Sequence, residues 1–190
     1  MFSQFKKLLL ITSVLLFSQV SSADSTSTNP IVVLETSVGS ITLELFENEA
    51  PATVENFLRY VNEDGYVDTV FHRVISGFMI QGGGFTEDMK KKTVHEPIKN
   101  ESTNGLSNKR GTIAMARTQN PDSATNQFFI NLVDNLNLDA VGNRAGYTVF
   151  GEVIKGIEVI ESIGKVKTTT RSRYRDVPTQ PILILSTKQL

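Results

Sequence analysis

The chain has 190 residues, which suits one domain, and its 39% apolar and 21% charged content excludes fibrous, collagen-like and wholly disordered classes. It has no cysteine, no tryptophan and two histidines, His72 and His95, which excludes disulfide scaffolds, thiol nucleophiles, thiolate metal sites and three-histidine metal centres. A net charge of −1 offers no excess of cations to hold a nucleic-acid backbone.

Residues 1–23 read as a secretory signal peptide. Lys6 and Lys7 precede a ten-residue apolar run, 8–17, and Ser21 and Ala23 are small at the −3 and −1 positions of a cleavage site. A spanning helix needs about twenty apolar residues, twice this run. Cleavage after Ala23 removes two lysines and no acid, so the formal charge passes from −1 to −3. No cysteine follows to carry a lipid, so no membrane attachment remains. Residues 24–30 are a Ser/Thr-rich, flexible lead-in, and 31–190 form the domain.

Residues 31–35 (IVVLE) and 40–46 (SITLELF) alternate with period two and predict a hairpin turning at 36–39. Pro51 opens a helix whose Val54, Phe57, Leu58 and Val61 make one apolar stripe, ended by Gly65. Residues 69–85 (TVFHRVISGFMIQGGGF) read as two short strands around Ser76-Gly77. Residues 86–109, with the run Lys90-Lys91-Lys92, read as a long polar surface loop that leaves His95 solvated. Strands follow at 111–116 (GTIAMA), 126–132 (NQFFINL) and 147–154, with a polar loop between the first two. A helix follows within 152–163, and a last strand at 181–186 (PILILS). Many short strands with two helices predict a closed β-barrel.

The chemistry concentrates at 71–85, where Arg73, Phe78, Met79 and Gln81 precede three glycines, and at AMART (114–118) with NQFFI (126–130). Taken alone, Phe78, Met79 and Phe129 are ordinary core residues and Arg73 an ordinary surface cation. His72, next to Arg73 on a strand, is expected on the opposite face in a structural role. The glycines lack the GK[ST] of a phosphate loop. Asn100-Glu101-Ser102 spells a glycosylation sequon, which matters only in a eukaryotic secretory pathway.

Read together, these segments resemble the cyclophilins, the cyclosporin-type peptidyl-prolyl cis–trans isomerases. FHRVISGFMIQGGGF looks like the family signature, and APATVENFLRYV (50–61), GTIAMA, NQFFINL and YTVFGEVIKG (147–156) stand in the family's usual order. The resemblance covers essentially all of the chain after residue 30, and is strongest to exported bacterial members. It implies a mainly β fold, a closed eight-stranded antiparallel barrel capped by two α-helices, with an apolar groove outside it. Arg73 matches the catalytic arginine, and Gln81 the glutamine that supports it. Phe78, Met79 and Phe129 match the walls of the proline pocket and Leu138 its rim. Ala116 and Arg117 match the pair whose backbone holds the residue before proline. Gln127 matches a groove-lining glutamine, and Tyr147 stands where many eukaryotic members have histidine. Asn137 stands where many have tryptophan, which implies weak cyclosporin binding with activity retained. Ser76 replaces a frequent proline in the turn.

The implied reaction suits the composition. Rotation about a peptide bond costs about 18–20 kcal/mol of lost resonance, and uncatalysed prolyl isomerisation takes tens to hundreds of seconds. No bond breaks, so neither nucleophile, metal nor cofactor is needed. The expected substrates are proline-containing segments of exported polypeptides, the expected address the periplasm or, second, the exterior, and the expected state a monomer. The alternative is a chaperone or host-interaction module that binds proline segments with incidental turnover.

Overall fold

The computed structural model describes residues 29–190; the signal peptide and most of the lead-in read from the sequence lie outside them. The chain runs β1 (Ile31–Thr36), β2 (Gly39–Leu45), α1 (Pro51–Asn62), β3 (Thr69–Val70), β4 (Arg73–Ile75), β5 (Met79–Gly82), β6 (Thr112–Met115) and β7 (Phe128–Asn131). A single 3-10 turn at Leu136–Leu138 precedes β8 (Val149–Lys155), α2 (Ile157–Ile163), β9 (Thr168–Arg171), β10 (Tyr174–Pro178) and β11 (Leu183–Gln189). Nine strands form one antiparallel sheet in the order β3-β11-β1-β2-β8-β6-β7-β5-β4, and β9 and β10 pair as a separate ribbon.

Among the described residues the mainly β fold with two helices is as expected, but the curled sheet has nine strands and its edge strands β3 and β4 do not pair, so it is not a closed eight-stranded barrel. The sheet's two edge strands, β3 and β4, are parts of one chain run split at Phe71–His72. The sheet therefore curls until its edges are only two residues apart. At the break, Phe71 N–H bonds the Ile182 carbonyl at 2.9 Å instead of continuing a ladder. Phe71 and Val74, three apart, both turn into the core. Strict alternation fails here, and with it the expectation that His72 and Arg73 face opposite ways.

Elsewhere alternation holds. Val32 and Leu34 on β1 and Ile41, Leu43 and Leu45 on β2 enter the main core, as do Ile80, Ile113, Met115, Phe128 and Ile130. Val54, Phe57 and Val61 of α1 close one end, Phe57 packing on Tyr66, Phe128 and Phe150. The residues between inward positions face out. Met79, Ala114, Phe129 and Val149 form a second apolar cluster outside the curled sheet.

The segment 86–109 is more than a surface loop. Glu101 accepts from Ala52 N–H at 3.1 Å, Thr53 N–H at 2.9 Å and Thr53 Oγ1 at 2.6 Å. Ala50 has no side-chain oxygen to cap α1, so a carboxylate almost fifty residues later takes that place. His95 is half-buried rather than solvated, with Nε2 2.7 Å from Glu63 Oε2 and its ring 4.9 Å from that of Tyr60. Asn100 and Ser102 of the sequon bond each other and the backbone at Gly146.

Candidate active site

The site is built from the outward faces of β4, β5, β7 and β6. Their register sets Arg73 opposite Gln81, Gln81 opposite Phe129, and Phe129 opposite Ala114. Ile75 and Met79 pair one step along. A donor, an amide and an aromatic ring thus stand side by side across three strands, with inward neighbours locked in the core.

Arg73, Phe78, Met79, Gln81, Ala116, Arg117, Phe129, Leu138 and Tyr147 line one cavity of about 190 Å3. Nine of the ten residues expected from the sequence therefore meet in one place. The tenth, Gln127, lines the adjoining hollow and accepts a bond from Gln81 Nε2 at 3.0 Å. A Cβ on Gly84 would lie 2.4 Å from Gln127 Cγ, so only glycine there lets this side chain lie flat on the backbone.

Met79 and Phe129 are almost fully buried, 2% and 4% exposed, and form the floor. Phe129 meets Tyr147 edge to face at 5.6 Å between ring centres, and the Arg117 guanidinium lies 4.6 Å over Tyr147. Arg117 also donates to the carbonyls of Ala145, Gly146 and Thr118 at 2.8, 3.0 and 2.9 Å. Three of its five N–H donors are thus spent on backbone carbonyls.

Arg73 is held loosely. Nη1 is 3.5 Å from Gln81 Oε1, Nε is 3.8 Å from Asp176 Oδ2, and the side chain is 44% exposed. Most of its donors remain free. The phenylalanine wall is held more firmly: Asn135 Nδ2 and Leu132 N–H both donate to the Phe78 carbonyl at 2.9 Å. Asn135 also donates to Asn131 Oδ1, Asn131 to Asn108 Oδ1, and Asn108 to Asp139 Oδ1, a buried amide chain under the rim that carries Leu138. Isolated asparagines, two in loops and one at a strand end, gave no sign of this chain in the sequence.

The sequence reading also missed the β9–β10 hairpin. Its β9 residues, TTTR, are all exposed, so no apolar alternation marks the strand. A bulge lies between Tyr174 and Val177, and Asp176 within it has φ +60°. The bulge turns the Asp176 carboxylate toward Arg73. The hairpin walls a cleft of about 800 Å3 on the far side of Arg73 and Gln81, which line both hollows.

Residues 31–189 match the family described as cyclophilin type peptidyl-prolyl cis-trans isomerase/CLD. A peptidyl-prolyl cis-trans isomerase of Acinetobacter baylyi is 54% identical over 158 residues, 83% of this chain and 84% of that one. Peptidyl-prolyl cis-trans isomerase A of Dickeya dadantii is 51% identical over 178 residues, 94% of each chain. The crystal structure of a Cryptosporidium parvum cyclophilin type isomerase, in the presence of the dipeptide Ala-Pro, matches with a TM-score of 0.67 at 26% identity, covering 83% of this chain and 96% of that chain. The chain belongs to the cyclophilin-type peptidyl-prolyl cis-trans isomerases, and its activity is peptidyl-prolyl cis-trans isomerisation.

His72 lines the larger cleft beside Arg73, 5% exposed, its ring 4.6 Å from Phe85. Burial, which disfavours the charged imidazolium, lowers its pKa from 6.5 to about 4, and the nearby Arg73 cation acts the same way. The unfolded chain therefore binds this proton more readily than the folded one. The stability due to neutral His72 is complete above about pH 6.5 and is lost progressively as pH falls to about 4, a total of about 3 kcal/mol. In urea titrations from pH 7 to pH 4, His72→Gln should lose less stability than the parent. Parallel curves for the two proteins would contradict this assignment.

Proposed function

We propose that this isomerase turns X–Pro bonds with Arg73 as the donor and the Phe78–Met79–Phe129–Leu138 pocket as the clamp on the proline ring. One observation carries the reading: a guanidinium with free donors and a buried floor of Met79 and Phe129 occupy the same cavity of about 190 Å3. The twisted peptide bond localises a lone pair on the prolyl nitrogen. A donor aimed at that pair stabilises the twisted form over both planar ones, which is the differential binding catalysis requires. Arginine suits the task because it remains charged and only donates.

The pocket fixes the ring while the acyl side rotates, and its apolar walls strengthen the arginine contact by excluding water. Gln81 links Arg73 to Gln127. The backbone at Ala116 and Arg117 holds the residue before proline in extended form. Tyr147 stiffens the wall behind Phe129. Proline-containing segments of unfolded or flexible exported chains are the substrates, and the protein acts as a monomer.

Export rests on residues 1–23. The similarity to the Dickeya relative extends over 94% of this chain, and so into the segment before the domain. The periplasm is the address this reading favours. Weak cyclosporin binding follows from the rim, where Asn137 is exposed on the 3-10 turn and offers no aromatic surface.

Arg73→Ala should lower kcat/KM on a short X-Pro peptide about 10²- to 10³-fold, the scale of losing one preorganised donor; exchange NMR on the peptide measures it. A loss below about threefold would remove Arg73 from the mechanism. For export, intact-mass analysis of the periplasmic protein in a Gram-negative host should find a chain beginning at Asp24. Uncleaved protein confined to the cytoplasm would sink that assignment. Inhibition titrations should give a cyclosporin Kd weaker than about 1 μM, that is, less than about 8 kcal/mol of binding. Nanomolar inhibition would show that the rim position does not govern the drug.

A further inference from the structure

The prolyl cavity occupies one side of Arg73 and Gln81. On the other side the larger cleft is lined by four cations, Arg73, Lys91, Arg173 and Arg175, and by one carboxylate, Asp176. Asp176 lies 3.8 Å from Arg73. His72, the remaining titratable wall apart from Tyr174, is neutral at neutral pH. Among the described residues, no carboxylate lies within 4.0 Å of the charged groups of Lys91, Arg173 or Arg175. In a chain of net charge −1, this is a local surplus beside the catalytic groups and not general basicity.

One of these cations, Arg173, sits on packed aromatic rings. The Arg173 guanidinium lies 5.3 Å over the Tyr174 ring and donates to Tyr174 Oη at 3.1 Å. Tyr174 packs edge-on against Phe85 at 5.1 Å, and Phe85 against His72. Arg171 Nη1 donates to the Glu87 carbonyl at 2.7 Å and ties the hairpin to the facing loop. The guanidinium thus loses little freedom on meeting an anion.

We infer that this cleft is a second subsite of the peptide groove, one that takes an acidic side chain of the polypeptide whose proline fills the neighbouring cavity. The inference rests on the isomerase activity. Arg73 and Gln81 line both hollows, so one extended chain can occupy both. At about 3.3 Å per residue, a side chain two or three residues from the proline reaches across the shared wall. The result is a preference among X-Pro sites that is set outside the prolyl dipeptide and is sensitive to salt.

The test uses matched peptides with Glu or Gln placed two or three residues before or after the proline. Exchange NMR gives kcat/KM for each, and the readout is the Glu-to-Gln ratio. At about 20 mM salt the ratio should reach about two to five at one position at least, as expected for partly exposed charge pairs. It should fall toward one at about 0.5 M salt, and toward one in Arg173→Gln/Arg175→Gln. A ratio of one at every position in the parent overturns the subsite. So does a preference that survives both high salt and the double substitution. The parent's rate on the Gln peptides reports isomerisation itself, so failure of the activity and failure of the subsite are distinguishable.

Discussion

Cross-strand register is the constraint on which the rest depends. Arg73, Gln81, Phe129 and Ala114 stand opposite one another on four adjacent strands. Strands lie about 4.8 Å apart, so the row spans about 14 Å of outer surface. What holds it is on the other face, where Val74, Ile80, Phe128, Ile130 and Ile113 are buried in the main core. A slip of one residue in any strand would push a core side chain into solvent and swing Arg73 or Phe129 inward. The site is therefore specified by residues that never meet a substrate.

In the proposed mechanism this division lets a loosely tethered arginine serve as the donor. Its contacts to Gln81 and Asp176 are long, 3.5 and 3.8 Å, and partly solvated. Pairs of that kind contribute little on their own. Its aim comes from a three-residue strand whose centre, Val74, is fixed in the core. The pocket is different: its floor is buried and its rim is tied by the Asn108–Asn131–Asn135 chain. In the proposed reaction a firmly held clamp keeps the ring still while a donor with free N–H groups meets the charge at one nitrogen.

Much of this was legible in the sequence, for definite reasons. Alternation marked β1 and β2, the 3.6-residue stripe marked α1, and the 71–85 motif carried the residues of β4 and β5 in order. Three features were not legible. The break at Phe71–His72 depends on where β11 meets the edge of the sheet, a partner more than a hundred residues away. Glu101 caps α1 across almost fifty residues, and no local pattern links a loop glutamate to Ala52 and Thr53. The β9–β10 ribbon faces solvent on most sides, so its strands lack the apolar period by which strands are recognised.

That ribbon has a further consequence. Its hold on the body includes buried Val177 and Pro178, the contact of Tyr174 with Phe85, the Asp176 pair with Arg73 and the Arg171 bond to Glu87. Little of the main core would be disturbed if its exposed residues changed. Strands β4 to β7 are constrained on both faces, inward by packing and outward by the proline pocket. The bulged ribbon beside Arg73 pairs outside that sheet: it can present cations or other groups to the substrate chain without altering the register that aims the arginine. The proposed selectivity beyond the prolyl bond thus falls on the element with the least structural duty, and the proposed chemistry on the elements with the most.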